Sequence, residues 1–360
     1  MSTPTAAQPA TAAQPATAVR DRPGPSGPEA GARYLELLTD GDEYGAVELA
    51  TGLLDDGVPP QRIMLDLIAT AQAQIGELWA RNEWSVAREH AATAISERVL
   101  AAVAARTGVR PFRGRITVAC VDGEWHALPV RILAEVLRLD GWRVDFLGAN
   151  VPGAHLVTHL HQTGPDAVAL SCMLPTRLPR AHAAITACRS AGVPVIAGGR
   201  GFGVDGRHAV RLGADAWAAG AEEAAERLVR DWPPPTGDPD DARYLGDDEY
   251  THLVRGRPEL IAAALRRLAD AYSPMAGYDQ RQQDATADDL GHVVDFLAAA
   301  LYVDDPTVFT DFVTWTARVL QARGVPPGAL CAGLRICREQ LYDYPRACAF
   351  LDAGTAAVGT

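Results

Sequence analysis

Apolar residues recur with a helical period through residues 29–108. Tyr34, Leu35, Leu37 and Leu38 open a first helix, and residues 46–54 continue it or begin the next. Gly57-Val-Pro-Pro60 is a stop and a restart, because proline cannot continue a hydrogen-bonded turn but suits the start of one. Ile63, Leu65, Leu67, Ile68, Ile75 and Leu78 then give an apolar stripe, and a last helix is predicted from about Ser85 to Ala105. Four such helices assemble most simply as a bundle.

From Arg113 the period changes. Strand-like runs occur at 116–121, 143–147, 166–171, 193–197 and 214–217, separated by helical patterns of roughly 12 to 20 residues. Strand alternating with helix implies a parallel sheet with right-handed crossovers. The Pro-rich stretch after Trp232 reads as a linker over 233–242. Residues 243–360 return to helices, at 259–271, 287–302, 306–322 and 327–342. The predicted class is multidomain, α and α/β: a four-helix bundle at 29–108, a parallel-sheet domain at 112–232 and an all-helical domain at 243–360. Residues 1–28 hold Thr-Ala-Ala-Gln-Pro-Ala twice, with little to bury, and are expected to be a disordered tail.

Composition narrows the function. A formal charge of −12 argues against direct contact with a nucleic-acid backbone. No run of apolar residues is long enough for a membrane span, and the N-terminus lacks a signal-peptide core. The six cysteines are scattered without Cys-x-x-Cys pairs, as expected for reduced thiols of a cytoplasmic protein.

The most informative run is Asp122-Gly-Glu-Trp-His126. It follows the first strand, so it places a histidine at the carboxyl edge of the sheet, where doubly wound folds bind ligands. A carboxylate two residues earlier, Glu124, can hold one ring nitrogen and leave the other for a metal. Three more segments end strands on the same edge: Leu147-Gly148-Ala-Asn150-Val-Pro152, Leu170-Ser171-Cys-Met173 and Ala197-Gly198-Gly199. Taken singly, His126 reads equally as a surface loop residue and Gly198-Gly199 as a turn; together, in order, the four point to one ligand site.

Residues 112–230 resemble the cobalamin-binding domain of methionine synthase and its relatives, a Rossmann-like fold. The resemblance implies that His126 is the lower cobalt ligand, that Glu124 occupies the acidic position orienting it, and that Ser171, Gly198 and Gly199 line the channel for the cofactor's nucleotide tail. Gly148, Asn150, Pro152 and Met173 fall in the same binding segments. Pro129 stands where that pattern has glycine, and Met173 where it has leucine.

The helical region carries Trp79, nine residues, then Glu89-His90. This spacing resembles that of light-responsive, adenosylcobalamin-binding transcriptional repressors. By that likeness Trp79 packs on the adenosyl group, Glu89 hydrogen-bonds its polar edge and His90 lies close by, so the bundle is a cap. Taken alone, Trp79 reads as bundle core and Glu89-His90 as a solvated helix face. Those repressors carry a histidine directly after the tryptophan, where this chain has Ala80, and their N-terminal DNA-binding domain is not seen here.

The order of cap, corrin domain and helical domain resembles the photocobilins, which add a globin-like, biliverdin-binding domain. That likeness implies adenosylcobalamin and biliverdin as cofactors, with Arg281 and Arg318 facing propionates, aromatic walls from Tyr278, Phe296 and Trp315, and His292 on the same helical face as Phe296. On the residues alone, His292 reads as a core histidine. The implied function is a photoreceptor that changes oligomeric state in light and acts on a downstream effector protein, with no catalytic site of its own. A corrinoid methyl carrier and a cobalamin-responsive antirepressor are the alternatives.

Overall fold

The computed structural model describes residues 27–230, 232–233 and 247–359. The expected tail up to residue 26 and the linker from 234 to 242 lie outside the described residues. The described chain divides into two units, 27–233 and 247–359.

The first unit opens with α1 (Gly27–Asp40) and α2 (Glu43–Asp55), the latter capped by Asp42, whose side chain accepts from Gly45 N. The chain turns at Gly57 and restarts at Pro60 as α3 (Pro60–Arg62), which runs without a break into a π-helical stretch, Ile63–Ala69, and then α4 (Thr70–Ala80). The wider π turn brings four apolar side chains inward at once: Ile63, Met64, Leu67 and Ile68 are all buried. α5 (Val86–Ala105) follows, capped by Ser85.

Next come five strands and their crossover helices. β1 (Arg115–Cys120), β2 (Arg143–Gly148), β3 (Ala167–Ser171), β4 (Val195–Gly198) and β5 (Ala216–Ala218) form one parallel sheet in the order β2-β1-β3-β4-β5. The strand order reverses between β1 and β3, which makes the loops after those two strands the mouth of a crevice. α6 (Ala127–Leu139) and α10 (Ala221–Arg230) pack together, as do α7 (Gly153–Thr163) and α8 (Leu178–Ser190). A short α9 (Arg207–Arg211) precedes β5. α5 and the π segment rest on α6, so one continuous apolar core joins Leu67, Ile75 and Val99 of the four helices to Val136 of α6 and Ile116 and Val118 of the sheet.

The second unit is helical: α11 (Glu249–Arg255), α12 (Arg257–Ala271), α13 (Gln280–Val303), α14 (Pro306–Ala322), α15 (Pro327–Gln340) and α16 (Pro345–Val358). Prolines sit in the first turn of α12, α14, α15 and α16, where a missing N–H costs nothing. A capping box of Asp279 and Gln282 starts α13, and the buried Glu249 side chain accepts from Arg346 N and Ala347 N to start α16. α13 is the most buried helix of the unit, and its Phe296 stacks on Phe312 of α14 at 3.9 Å between ring centres. No helix among the described residues is long and apolar enough to cross a membrane.

Asp289 of α13 carries a testable cost. Burial, reinforced by Asp288 and opposed by Arg323, pushes its carboxyl up to about 6. The folded state therefore holds a proton that the unfolded chain releases near pH 4, and stability falls as pH rises from about 4 through about 6. Asp289→Asn is expected to remove that slope and to stabilise the unit at pH 7.5 by up to about 2–3 kcal/mol. Urea unfolding of both proteins at pH 5 and 7.5 checks this; parallel pH dependence would show that the carboxyl is not held protonated.

Candidate corrinoid site

The loop after β1 is built around Glu124, which is fully buried. Its Oε1 accepts from His126 N at 3.1 Å and lies 2.5 Å from His126 Nδ1. Its Oε2 accepts from Met173 N at 2.7 Å and Leu174 N at 3.1 Å, on the loop after β3. Burial works against ionisation here, but the hydrogen bonds and charge of His126 and the Met173 amide outweigh it and hold the carboxyl below its usual range. An ionised carboxylate can only accept, so Nδ1 carries a proton toward Glu124, and Nε2 is the ring nitrogen left for a metal. The His126 side chain retains 22% of its surface.

Asn150 clips the neighbouring loop to this one. In a left-handed conformation (φ 51°), it donates its backbone N–H to Glu124 O at 2.8 Å, and its Oδ1 accepts from Gly123 N at 2.8 Å. Gly148 just before it has φ 80°, and Pro152 leads into α7. His126, Glu124, Gly148, Asn150, Pro152, Ser171, Met173, Gly198 and Gly199 thus lie on one sheet edge, as the sequence predicts. Pro129 falls in the first turn of α6 without disturbing it.

The two glycines differ. A Cβ on Gly198 would meet only Ala218 O, at 3.4 Å, an ordinary contact, so the fold alone does not demand glycine there. Gly199 is required by its backbone: it has φ 99° and ψ 154°, a region open essentially to glycine alone, and a Cβ would sit 2.4 Å from Cys172 O. Gly199→Ala is expected to cost about 3 kcal/mol, from strain plus that collision. An unchanged urea midpoint for this variant would refute the assignment. The thiols beside the loop stay protonated; burial, followed by the Glu124 charge, pushes Cys120 up to about 12 and Cys172 well above its usual value.

The second constellation flanks a tight turn. Asn82, at φ 60°, reverses the chain, so the last turn of α4 with the buried Trp79 lies beside the first turn of α5 with Glu89. Glu89 Oε2 contacts His90 Nδ1, and the His90 ring is otherwise largely exposed. Glu89 Oε1 lies 3.2 Å from Thr93 Oγ1, which is 2.9 Å from Gln72 Oε1; Gln72 Nε2 donates to Ser96 Oγ, which also accepts from Tyr34 OH. Sequence reasoning missed this polar chain from Glu89 to the buried Tyr34. It also missed the two loop amides on Glu124, because both depend on contacts across helices or strands.

In the second unit the expected bilin residues lie on α13, on α14 and in the turn that leads into α13. Arg281 and Arg318 are exposed, on α13 and α14. Phe296 is buried and stacks on Phe312. Tyr278 and Trp315 are half-buried, and burial lowers the basicity of His292. A cavity of about 650 Å³ lies elsewhere in the unit, lined by His252, Arg255, Glu259, Leu260 and Leu341 among others.

Comparison with known proteins agrees with the first unit. Residues 114–229 match a family described as B12 binding domain, and residues 31–104 match a second family of the same description. The chain is 36% identical over 152 residues to the HTH-type transcriptional repressor CarA of Myxococcus xanthus, a match covering 41% of this chain and 50% of that protein. It is 23% identical over 205 residues to the trimethylamine corrinoid protein of Methanosarcina barkeri, covering 55% of this chain and 94% of the other. Among solved structures, the monomethylamine corrinoid protein of Methanosarcina barkeri aligns with a TM-score of 0.47 and 19% identity, over 56% of this chain and 97% of that one. The chain thus spans half the length of the repressor. Both matched segments are B12-binding domains, and the chain is related to that repressor and to corrinoid proteins.

Proposed function

We propose that the protein is a light sensor built on adenosylcobalamin. The observation that carries the reading is the Glu124–His126 pair, which turns Nδ1 of the imidazole to the carboxylate and leaves Nε2 for a metal, at the switch point of the sheet. The residues fit the group. Among the described residues no three His, Cys, Asp or Glu side chains converge on a metal, so His126 suits a metal whose remaining ligands come from a macrocycle. Bound there, the cofactor supplies a cobalt–carbon bond that light cleaves.

The chain's own residues do the rest. His126 holds the lower face, and Gly198 leaves space beside Ser171 for a slender tail. Trp79 and Glu89 give the upper side an apolar wall and an acceptor. When Trp79 and Glu89 lose their guest, the packing of α1, α4 and α5, which the chain Glu89–Thr93–Gln72–Ser96–Tyr34 links, is biased toward a second arrangement. The readout is a change in self-association that an effector protein senses.

Size-exclusion chromatography of protein loaded with adenosylcobalamin, in darkness and after green light, is expected to give two elution volumes. Equal volumes together with unchanged partner affinity would defeat this output mechanism. The length match with corrinoid proteins favours one second reading, a methyl carrier. Tighter binding of adenosylcobalamin than of methylcobalamin supports the sensor, and the reverse order supports the carrier. A role for biliverdin in residues 247–359 rests on the order of the domains.

A further inference from the structure

Two arginines stand at the mouth of the crevice with less negative charge than they need. Arg177 ends the loop after β3, and Arg180 lies in the first turn of α8. Both reach across to the loop after β1: a Cβ placed on Gly123 would lie 2.6 Å from Arg180 Nη1 and 3.4 Å from Arg177 Nε. Gly123 has φ 76°, so both its conformation and its missing side chain make room for the guanidinium groups. Arg180 pairs with Asp122 at 3.2 Å, and both side chains are about half exposed. Arg177 Nε is buried and has no acceptor among the described residues. A buried guanidinium donor without a partner is costly, so this geometry is completed by an added acceptor, and a charged one for preference. In a chain of net charge −12, two arginines facing one carboxylate are a local exception.

We infer that Arg177 and Arg180 form an anion clamp for the phosphodiester of the corrinoid's nucleotide tail. This rests on the cobalamin reading above. The corrin side arms are neutral amides, whereas the tail carries one fixed negative charge. The guanidinium fork is shaped for phosphate oxygens. The loop after β3 runs from Ser171, at the predicted tail channel, to Arg177. The clamp would make the protein select a complete cofactor over one lacking its phosphate.

The test uses the full chain and three probes: adenosylcobalamin, adenosylcobinamide phosphate, which lacks the nucleoside, and adenosylcobinamide, which lacks the phosphate as well. Dissociation constants from visible-absorption titrations are expected to worsen by about tenfold or more between the second and third probes. In Arg177→Gln/Arg180→Gln that step should shrink to within about twofold, with adenosylcobinamide bound as by the wild type. Arg180→Gln alone, at a half-exposed position, should shrink the step part way and guards against misfolding of the double variant. Inorganic phosphate should compete with adenosylcobinamide phosphate only in the wild type. Wild-type protein that binds the last two probes equally overturns the clamp while leaving the corrinoid site standing. Wild-type protein that binds none of the three overturns the site itself.

Discussion

His126→Ala is expected to lose the imidazole–cobalt bond, and with it most of the affinity for cobalamin. Removing an outer partner of a metal ligand costs roughly 10–100-fold, and removing the ligand itself should exceed the upper figure of about 100-fold. The variant should fold. His126 is the N-cap residue of α6 but makes no side-chain capping bond, so alanine removes no structural hydrogen bond from the helix itself. The measurement is a visible spectrum after incubation with adenosylcobalamin and gel filtration. Wild-type protein should carry colour with a histidine-bound spectrum, and the variant should emerge pale or with the spectrum of free cofactor. Full uptake with an unaltered spectrum would remove the axial-ligand assignment and the proposed function with it.

The second large effect belongs to Glu124. Each carboxylate oxygen faces two N–H groups, Oε1 those of His126 and Oε2 those of Met173 and Leu174. Glutamine cannot replace it. Whichever way the amide is turned, its NH₂ meets two donors in a fully buried place. Glu124→Gln is therefore expected to lose about 2–4 kcal/mol of stability and, with the Nδ1 acceptor weakened, roughly 10–100-fold in cobalamin affinity. The pH dependence has a definite sign. The folded carboxyl titrates below its unfolded value of about 4.3, so its contribution is complete above that pH and drains away as pH falls through the lower, folded value. The glutamine variant should lack this acid-side loss. Unfolding midpoints at pH 3.5, 5 and 7 would show it; a variant as stable as wild type at pH 7 would mean that the four donors find other partners.

The strands and the loop chemistry were the most legible parts of the sequence. The run predicted at 116–121 forms β1 at Arg115–Cys120, and the later strands deviate by no more than two residues at either end. Short apolar runs bounded by glycine and charge leave little choice of period. The pairing of Glu124 with His126 was readable because both lie in one five-residue run. The bonds from Glu124 to Met173 and Leu174 were not, since they join loops some fifty positions apart that become neighbours only when β1 and β3 pair. The π stretch at Ile63–Ala69 was also hidden, because its apolar positions fit an ordinary helical stripe nearly as well. In residues 247–359 the helices were foreseen better than their contacts. Ring-bearing residues four apart on α13 fit a ligand wall and a core face equally, and the stacking of Phe296 on Phe312 could not be read from that spacing.

The shared interior of the four N-terminal helices and the sheet sets a limit on engineering. Four helices that share one apolar core with α6 and the sheet, through Leu67, Ile75 and Val99 among others, cannot be cut out and grafted onto another protein, because both cut faces would be oil meeting water. Nor can they swing like a free door. Any movement of these helices must tilt or re-mesh side chains within one continuous interior, so such a movement and fold stability draw on the same contacts.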